Sequence, residues 1–478
     1  MTPKTRSQIR VDQTRRELDR TRADVRAWCE KWRRRDKARQ FETPRLLLEG
    51  VLERSLSLLQ ARLGDLPGAL ATGNVYRECA RFDQRLVWVR RLWQYYASKL
   101  DQRENGQLAP VLSAADEVVW SCYAEVFQNA RGGAARGPSP LPYVEPLYSA
   151  QAMPRVDVPP DLRLDMDRDF FTACLEQLPI SLVALPSLCV DAPWWLIFLG
   201  HEVGHHVQFD LLPPRALFLA FGKFLGAAAD QGVPGQGERW KPWSPEIFAD
   251  AFSVHALGPW AARAIAELET KDDLGMLTET SSGRSAYPAP WVRLSFLAAV
   301  AAELDPQDEI AHNCLFHDNL PAPPPEAPDG VTLRHQAELA IATLPKVVEA
   351  VVNESLEGMG TLKQLCGWQP SYFSRGGLVD RWAAALQGDP ELLLPERSLP
   401  APRLIISGAL AAWTQVSAIA DDREAERARA NLAANLLSII PRSAEEGVRA
   451  AEHEERKDPQ EFADALTGLL LERQPLAV

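Results

Sequence analysis

The sequence contains no apolar run long enough to form a membrane span. The longest such run, from Leu217 to Ala229, falls short of the roughly 18 residues a span needs, and Lys223 interrupts it. The N-terminus is rich in arginine and has no apolar segment of the secretory kind, so no signal peptide is predicted. We therefore expect a cytoplasmic protein that makes no contact with a membrane.

Other common signatures are also missing. The seven cysteines are scattered and none lies in a Cys-x-x-Cys pair, so neither a disulfide framework nor a zinc–thiolate site is predicted. The chain has no phosphate-binding glycine loop, no serine nucleophile elbow and no internal repeat. Nucleotide-dependent chemistry, serine hydrolysis and repeat architectures are therefore not expected.

Histidine is scarce, with eight in 478 residues, yet two of them stand four apart in the motif His201-Glu202-Val203-Gly204-His205. Residues four apart share one face of a helix, so both imidazoles can bind the same metal ion. Glu202 then lies beside that ion and can take a proton from the attacking water, the general-base role in zinc hydrolysis. Chance gives this motif in about one chain in a hundred of this composition.

A catalytic zinc usually has three protein ligands and one open position, so a further ligand is needed. The segment from Ser244 to Asp250 offers Glu246 in the first turn of a helix that Ser244 caps and Pro245 begins. Asp250, four residues later, lies on the same face and can accept a hydrogen bond from the second nitrogen of a ligand histidine. Glu238 is an alternative ligand, but its glycine-rich loop would hold metal geometry poorly.

These residues resemble those of the gluzincin metallopeptidases, in which His-Glu-x-x-His is followed by a helix with Glu-x-x-x-Asp. The form Glu246-x-x-Ala249-Asp250 looks most like the small gluzincins, including the CAAX-prenyl-type enzymes and the soluble ImmA/IrrE-like proteases of bacterial regulation and conflict systems. The resemblance covers roughly residues 180 to 300. It implies that His201, His205 and Glu246 bind Zn²⁺, that Glu202 is the base and that Asp250 orients a ligand.

A metzincin would have Gly at position 208 and His at 211, but the chain has Gln208 and Leu211, so that class is excluded. The segment from Tyr287 to Arg293 resembles the His-Pro…Arg segment of some gluzincin families, with Tyr287 in place of His. Its phenol can donate to the oxyanion of the tetrahedral intermediate, although the segment also fits a proline-stiffened turn before a helix. For Arg293 we expect a structural salt bridge.

Two further histidines are predicted to have structural roles. His206 lies about 100° around the helix from His205 and is expected to pack or to support the ligands. His255 lies on the opposite face of its helix from Glu246, and a satisfied buried histidine is expected there. Near the C-terminus, Glu461 and Asp464 form a similar acidic pair, which we interpret as coincidence because no histidine pair is nearby.

The predicted fold class is mainly α, of the α+β type, with a zincin-like catalytic core that combines a small β-sheet and the active-site helix. Strands are expected near Tyr143–Tyr148 and Ile180–Leu185, and a buried active-site helix from Asp191-Ala192-Pro193 to about Asp210. The predicted domains are an N-terminal helical region (1–130), a zincin-like metallopeptidase domain (131–305), a Pro-rich linker (306–330) and a C-terminal helical region (331–478).

Charge is distributed unevenly along the chain. Residues 1–40 carry 14 Lys or Arg against 6 Asp or Glu, whereas the whole chain has a net charge of −12. Such a segment can bind nucleic acid, but we favour a helix that docks on the chain's own acidic surface, so a nucleic-acid partner is not expected. In this segment Val11, Leu18, Val25 and Trp32 are spaced seven apart, which predicts a long helix within a bundle.

The sequence as a whole predicts a soluble zinc metallopeptidase that acts on a protein or peptide substrate with narrow or regulated specificity. The resemblance extends this to bacterial regulation or defence. The flanking helical regions are candidate sites for a regulatory protein partner. Two alternatives stay open: a helical interaction protein with a non-catalytic zinc site, and a zinc hydrolase that acts on a non-peptide amide.

Overall fold

The computed structural model describes residues 4–34, 42–64, 74–132, 139–154, 162, 180–212, 216–282, 285–304, 328–393 and 397–444. In these ranges the protein is mainly helical with a small three-stranded sheet, which confirms the predicted fold class. None of the helices described has both the length and the apolar character that crossing a bilayer requires. The described residues divide into two compact units, the first drawn from 1–102 and 155–181 and the second from 103–154 and 182–445.

The first unit contains three long helices, α1 (Arg6–Arg33), α2 (Glu42–Leu63) and α3 (Val75–Leu100), which pack against one another. The residues of α1 spaced seven apart are all buried, as expected for a helix within a bundle: Val11, Leu18, Val25 and Trp32. Thr5 begins α1 with a capping box.

Several arginines of α1 form ion pairs inside this unit. Arg10 binds Asp83 of α3, and Arg26 lies 3.2 Å from Glu53 of α2. The basic face of α1 is thus partly neutralised by acids of the neighbouring helices.

The second unit begins with α4 (Ala109–Asn129), which packs against the sheet. The strands are β1 (Leu141–Glu145), β2 (Gln151–Met153) and β3 (Leu182–Pro186). β3 is central and fully buried, with β1 parallel to it on one side and β2 antiparallel on the other. β1 and β3 overlap the two predicted strands, and β2 is the edge strand that contacts the helix bearing His201 and His205.

Between the sheet and the His201 motif the chain changes helix type. We expected one α-helix beginning at Asp191, but Asp191 ends the short helix α5 (Leu188–Asp191), and Pro193–Phe198 forms a 3₁₀ helix. The α-helix α6 begins at Leu199 and ends at Asp210. Tertiary packing accounts for the difference, because Trp194 and Trp195 both contact the ring of Trp413.

Within the described residues the chain then continues through five α-helices. They are α7 (Ala216–Gly232), the short α8 (Gly237–Trp240), α9 (Ser244–Leu257), α10 (Pro259–Glu269) and the short α11 (Asp273–Leu277). Of these, α7 and α9 contact α6. The hairpin of β4 (Thr280–Ser282) and β5 (Ser285–Tyr287) precedes α12 (Pro290–Leu304).

The C-terminal helices belong to the same unit as the sheet. They are α13 (Pro328–Ala342), α14 (Leu344–Asn353), α15 (Leu362–Leu365), α16 (Pro370–Phe373), α17 (Leu378–Gln387), α18 (Ala401–Ser417) and α19 (Asp422–Ser443). The Ser407 hydroxyl of α18 donates to the Leu257 carbonyl at the end of α9. These helices therefore form part of the core that supports the site.

Some predictions lie outside the described residues. These include most of the Pro-rich linker and the C-terminal segment with Glu461 and Asp464. The last three linker residues, 328–330, begin α13 instead. The predicted domain boundaries stay predictions.

Candidate metal centre

Helix α6 presents the histidine motif from a buried position. His201 and Glu202 are buried, and His205 is nearly so. The helix crosses α9 at a close contact, where a Cβ atom added to Gly204 would lie 2.8 Å from the Cα atom of Ala249. Only a glycine allows the two backbones to approach this closely. The motif glycine therefore brings the two helices together beside the histidines.

Helix α9 supplies the carboxylates on the facing surface. Glu246 and Asp250 are both buried, one turn apart. The predicted Ser244 cap is wrong: Trp243 is at the N-cap position, and no side chain caps the helix. The reason is that the chain enters α9 from the 3₁₀ turn Lys241–Trp243, with Trp243 in the αR region, whereas a side-chain cap usually requires extended backbone.

Three of the predicted ligands converge. The Nε2 atoms of His201 and His205 are 3.1 Å apart. The Oε2 atom of Glu246 is 3.3 Å from His201 Nε2, and its Oε1 atom is 3.7 Å from His205 Nε2. Among the residues described, this is the group of histidine, cysteine and acidic side chains arranged to hold a metal ion.

The donor set and its spacing fit zinc. Ligand atoms about 2.0–2.2 Å from a tetrahedral zinc ion are themselves separated by about 3.3 Å. The 3.1 Å between the two histidine nitrogens and the 3.3 Å from His201 to Oε2 of Glu246 are close to this value, whereas the 3.7 Å from His205 is to the other oxygen of Glu246. Two imidazole nitrogens facing each other at 3.1 Å repel when both carry lone pairs, so a cation or a proton between them is required. Two histidines and one glutamate also leave one position open, as in catalytic zinc sites.

Asp250 orients the first candidate ligand, His201. Its Oδ1 atom lies 2.8 Å from Nδ1 of His201, which places a proton on Nδ1 and turns Nε2 towards the other candidate ligands. The predicted contact of Asp250 with a ligand histidine is therefore present.

Arg293 of α12 holds Asp250 in turn. Its Nε and Nη2 atoms donate to the two carboxylate oxygens of Asp250, both at 2.8 Å. Nη2 is also 3.7 Å from Glu246. The salt bridge expected for Arg293 is confirmed, and it extends to two site carboxylates.

Burial and neighbouring charges have opposite effects on the pKa values of the two carboxylates of α9. Burial tends to raise the pKa of Asp250, but Arg293 and His201 outweigh it and hold the pKa well below its usual value. Burial likewise tends to raise the pKa of Glu246, yet the two histidines and Arg293 keep it lowered. Both carboxylates are thus ionised near neutral pH and available to a cation or its ligands.

Glu202 behaves differently from these two acids. Burial, with the nearby charge of Glu246, raises the pKa of Glu202 to about 7, while His201 and a backbone hydrogen bond from Ala152 oppose the rise. An acid whose pKa lies near the working pH can both accept and return a proton. The environment of Glu202 therefore suits a general base.

The remaining candidates lie at different places. Tyr287 is half-buried at the end of β5, which packs against the 3₁₀ turn leading into α9. Its role at the oxyanion stays a prediction. Glu238 is largely exposed, pairs with Lys241 and is not part of the cluster, so this alternative ligand is excluded among the described residues.

The two histidines predicted to have structural roles are not part of the cluster. His206 is buried and its Nε2 lies 3.1 Å from the Leu182 carbonyl of β3, the packing role that was expected. His255 is buried, and its Nδ1 donates to the Ala251 carbonyl at 2.7 Å. Its Nε2 has no hydrogen-bond partner in the described part of the chain, so His255 is only half satisfied.

Two contacts of the site were not predicted. Ala152 on β2 reaches Glu202 through its backbone, and Glu269, the last residue of α10, reaches Arg293. No sequence signal identifies Ala152, because a backbone group acts there.

Comparison with known proteins gives no match to a family model, to a curated protein or to a solved structure.

Proposed function

We propose that this protein is a cytoplasmic zinc-dependent metallopeptidase that hydrolyses peptide bonds of a protein substrate. The observation that supports the proposal most strongly is the convergence of His201, His205 and Glu246 beside the buried carboxylate of Glu202. Zinc held by these three ligands would act as a Lewis acid on the water and on the scissile carbonyl.

The chain's own groups perform the proton transfers in this proposal. Glu202 takes a proton from the attacking water and returns it to the leaving amine, for which a pKa of about 7 is suited. Asp250 keeps the proton of His201 on Nδ1, and Arg293 fixes Asp250. The phenol of Tyr287 is proposed to donate to the oxyanion.

The edge strand favours a peptide over another amide. β2 is antiparallel to β3 and lies at the edge of the three-stranded sheet in the part of the chain described. The backbone N–H of Ala152 donates to Glu202, so the outer edge of β2 runs beside the proposed base. An extended peptide can add to such an edge through backbone hydrogen bonds, which would place its scissile bond near Glu202.

Five free, buried cysteines in the described residues support a reducing compartment. Zinc is the proposed cofactor. We also propose a regulatory protein partner that binds the helical regions, because a protease in the cytoplasm must be prevented from cleaving proteins other than its substrates.

The test replaces Glu202 by Gln in the full-length chain. Glu202→Gln removes the base and keeps the side-chain volume, so zinc content should be unchanged while cleavage falls by about 10²–10⁴-fold. The matched control is Glu238→Gln, an exposed glutamate outside the cluster, which should behave like the wild type.

Zinc is measured by mass spectrometry of the purified protein, and cleavage by identifying new termini in a proteome-derived peptide library. Fragments formed equally by the wild type and by Glu202→Gln would rule out the proposed mechanism. A wild type that binds zinc but forms no new termini would favour the interaction protein or a non-peptide substrate.

A further inference from the structure

Glu269 is the last residue in a series of side-chain contacts that begins at the proposed metal ligands. His201 Nδ1 is 2.8 Å from Asp250, and Asp250 is held by two nitrogens of Arg293. The third nitrogen of that guanidinium, Nη1, donates to Oε1 of Glu269 at 2.8 Å. The Oε2 atom of Glu269 is 3.4 Å from Lys271, so the contacts lead from the buried centre to the surface.

The turn after α9 places Glu269 at this position. Gly258 has φ +74, a left-handed conformation that favours glycine, and a Cβ atom there would overlap the ring of Phe373. Pro259 then begins α10, which packs against both α9 and α12. Because α10 folds back along its neighbours, its last residue comes next to Arg293.

The geometry of the guanidinium explains why a third contact matters. When only two nitrogens bind Asp250, the guanidinium plane can still rotate about that contact. A partner on Nη1 prevents this rotation. Fixing the plane also fixes the distance from Nη2 to Glu246, which is a predicted ligand. The charge of Glu269 further offsets that of Arg293, which would otherwise repel a bound cation more strongly.

We propose that Glu269 is a positioning residue of the metal centre, which sets zinc affinity by holding Arg293 against Asp250 and Glu246. The inference depends on the proposed zinc site, but not on hydrolysis. Removal of a group that supports a metal ligand directly lowers affinity by about 10–100-fold. Glu269 is one contact further away and its side chain is 21% exposed, so a loss of about 3–10-fold is expected.

The test compares four full-length proteins: the wild type, Glu269→Ala, Glu269→Gln and the control Glu267→Gln. Glu267 is on the same helix, pairs with Arg263 and does not contact Arg293 in the described contacts. Zinc affinity is measured by competition with a chromophoric chelator. The visible absorption spectrum of the Co²⁺-loaded protein reports the ligand geometry, which a purely structural role would leave unchanged.

We expect Glu269→Ala to bind zinc about 3–10-fold more weakly and to alter the cobalt spectrum. Glu269→Gln keeps an acceptor for Nη1 and should lose less affinity, and Glu267→Gln should match the wild type. If both Glu269 variants are folded by circular dichroism and bind zinc within twofold of the wild type, the inference is overturned.

The outcome is separable from that of the proposed function. Weaker zinc binding by Glu269→Ala together with no cleavage by the wild type would support the positioning role and reject the peptidase. A wild type that binds no zinc would overturn both.

Discussion

Replacing Gly204 by Ala tests how closely the helix crossing determines the geometry of the proposed metal site. The added Cβ atom would lie 2.8 Å from Ala249 Cα and 3.2 Å from both its Cβ and its carbonyl oxygen. Ordinary contacts begin at about 3.4 Å, and backbone atoms cannot move aside without moving the helix. Helices α6 and α9 must therefore separate by about 0.6 Å or more.

This separation would occur between the helices that carry the proposed ligands. Gly204 is next to His205, and Ala249 lies between Glu246 and Asp250, so ligand distances widen by a similar amount. Metal sites tolerate deviations of about 0.2 Å in ligand distances. We therefore expect Gly204→Ala to lower zinc affinity at least about tenfold. In the metal-free protein the overpacking should lower the free energy of unfolding by about 1–3 kcal/mol. This loss is partly offset by about 1 kcal/mol, because alanine favours a helix more than glycine does.

The matched control is Gly200→Ala, one turn earlier on the same helix. Its Cβ atom would overlap Cδ1 of Leu257, but that atom is the end of a rotatable side chain, so the helices need not separate. Stability of the metal-free protein is measured by urea unfolding, and zinc affinity by chelator competition. The reasoning is refuted if Gly204→Ala binds zinc within twofold of the wild type, or if Gly200→Ala is equally damaging.

Two buried polar groups outside the ligand set give further predictions. Burial, with Lys363 nearby, lowers the pKa of His255 to about 4. The unfolded chain then binds the proton more tightly, and folding stability falls as pH decreases from about 6.5 towards 4, by up to about 3 kcal/mol. His255→Leu should make this decline in urea-derived stability shallower, and an unchanged slope would contradict the explanation. Both amide atoms of Gln208 are buried without a hydrogen-bond partner in the residues described, so Gln208→Met should raise stability by about 1–3 kcal/mol. A lower urea midpoint for that variant would indicate that the amide has a partner in solution.

The sequence predicted those features that depend on short-range spacing. His201 and His205 share a face because they are four apart on a helix, and α1 buries Val11 and Leu18 because they are spaced seven apart.

What the sequence could not provide is contact between distant elements. Asp250 and Arg293 are separated by 43 residues, and Glu269 reaches Arg293 only because Gly258 turns the chain back. The prediction of an α-helix directly before His201 was also wrong. In that segment Trp194 packs on Trp413, a contact that no local sequence pattern contains. Local propensity is routinely overridden by packing of this kind.

The charges of the buried cluster constrain how a metal ion would bind. Glu202, Glu246 and Asp250 are all buried, and Arg293 is the buried guanidinium that faces Asp250 and Glu246. Burial tends to lower the pKa of His201, but its contacts with Asp250 and Glu246 outweigh this and raise the pKa to about 10, so without a metal the imidazole is charged. The imidazolium and the guanidinium then offset Asp250 and Glu246, and burial raises the pKa of Glu202 to about 7. A divalent cation held by His201, His205 and Glu246 would take the place of a proton on His201, so metal binding should release a proton at neutral pH and weaken as the pH falls.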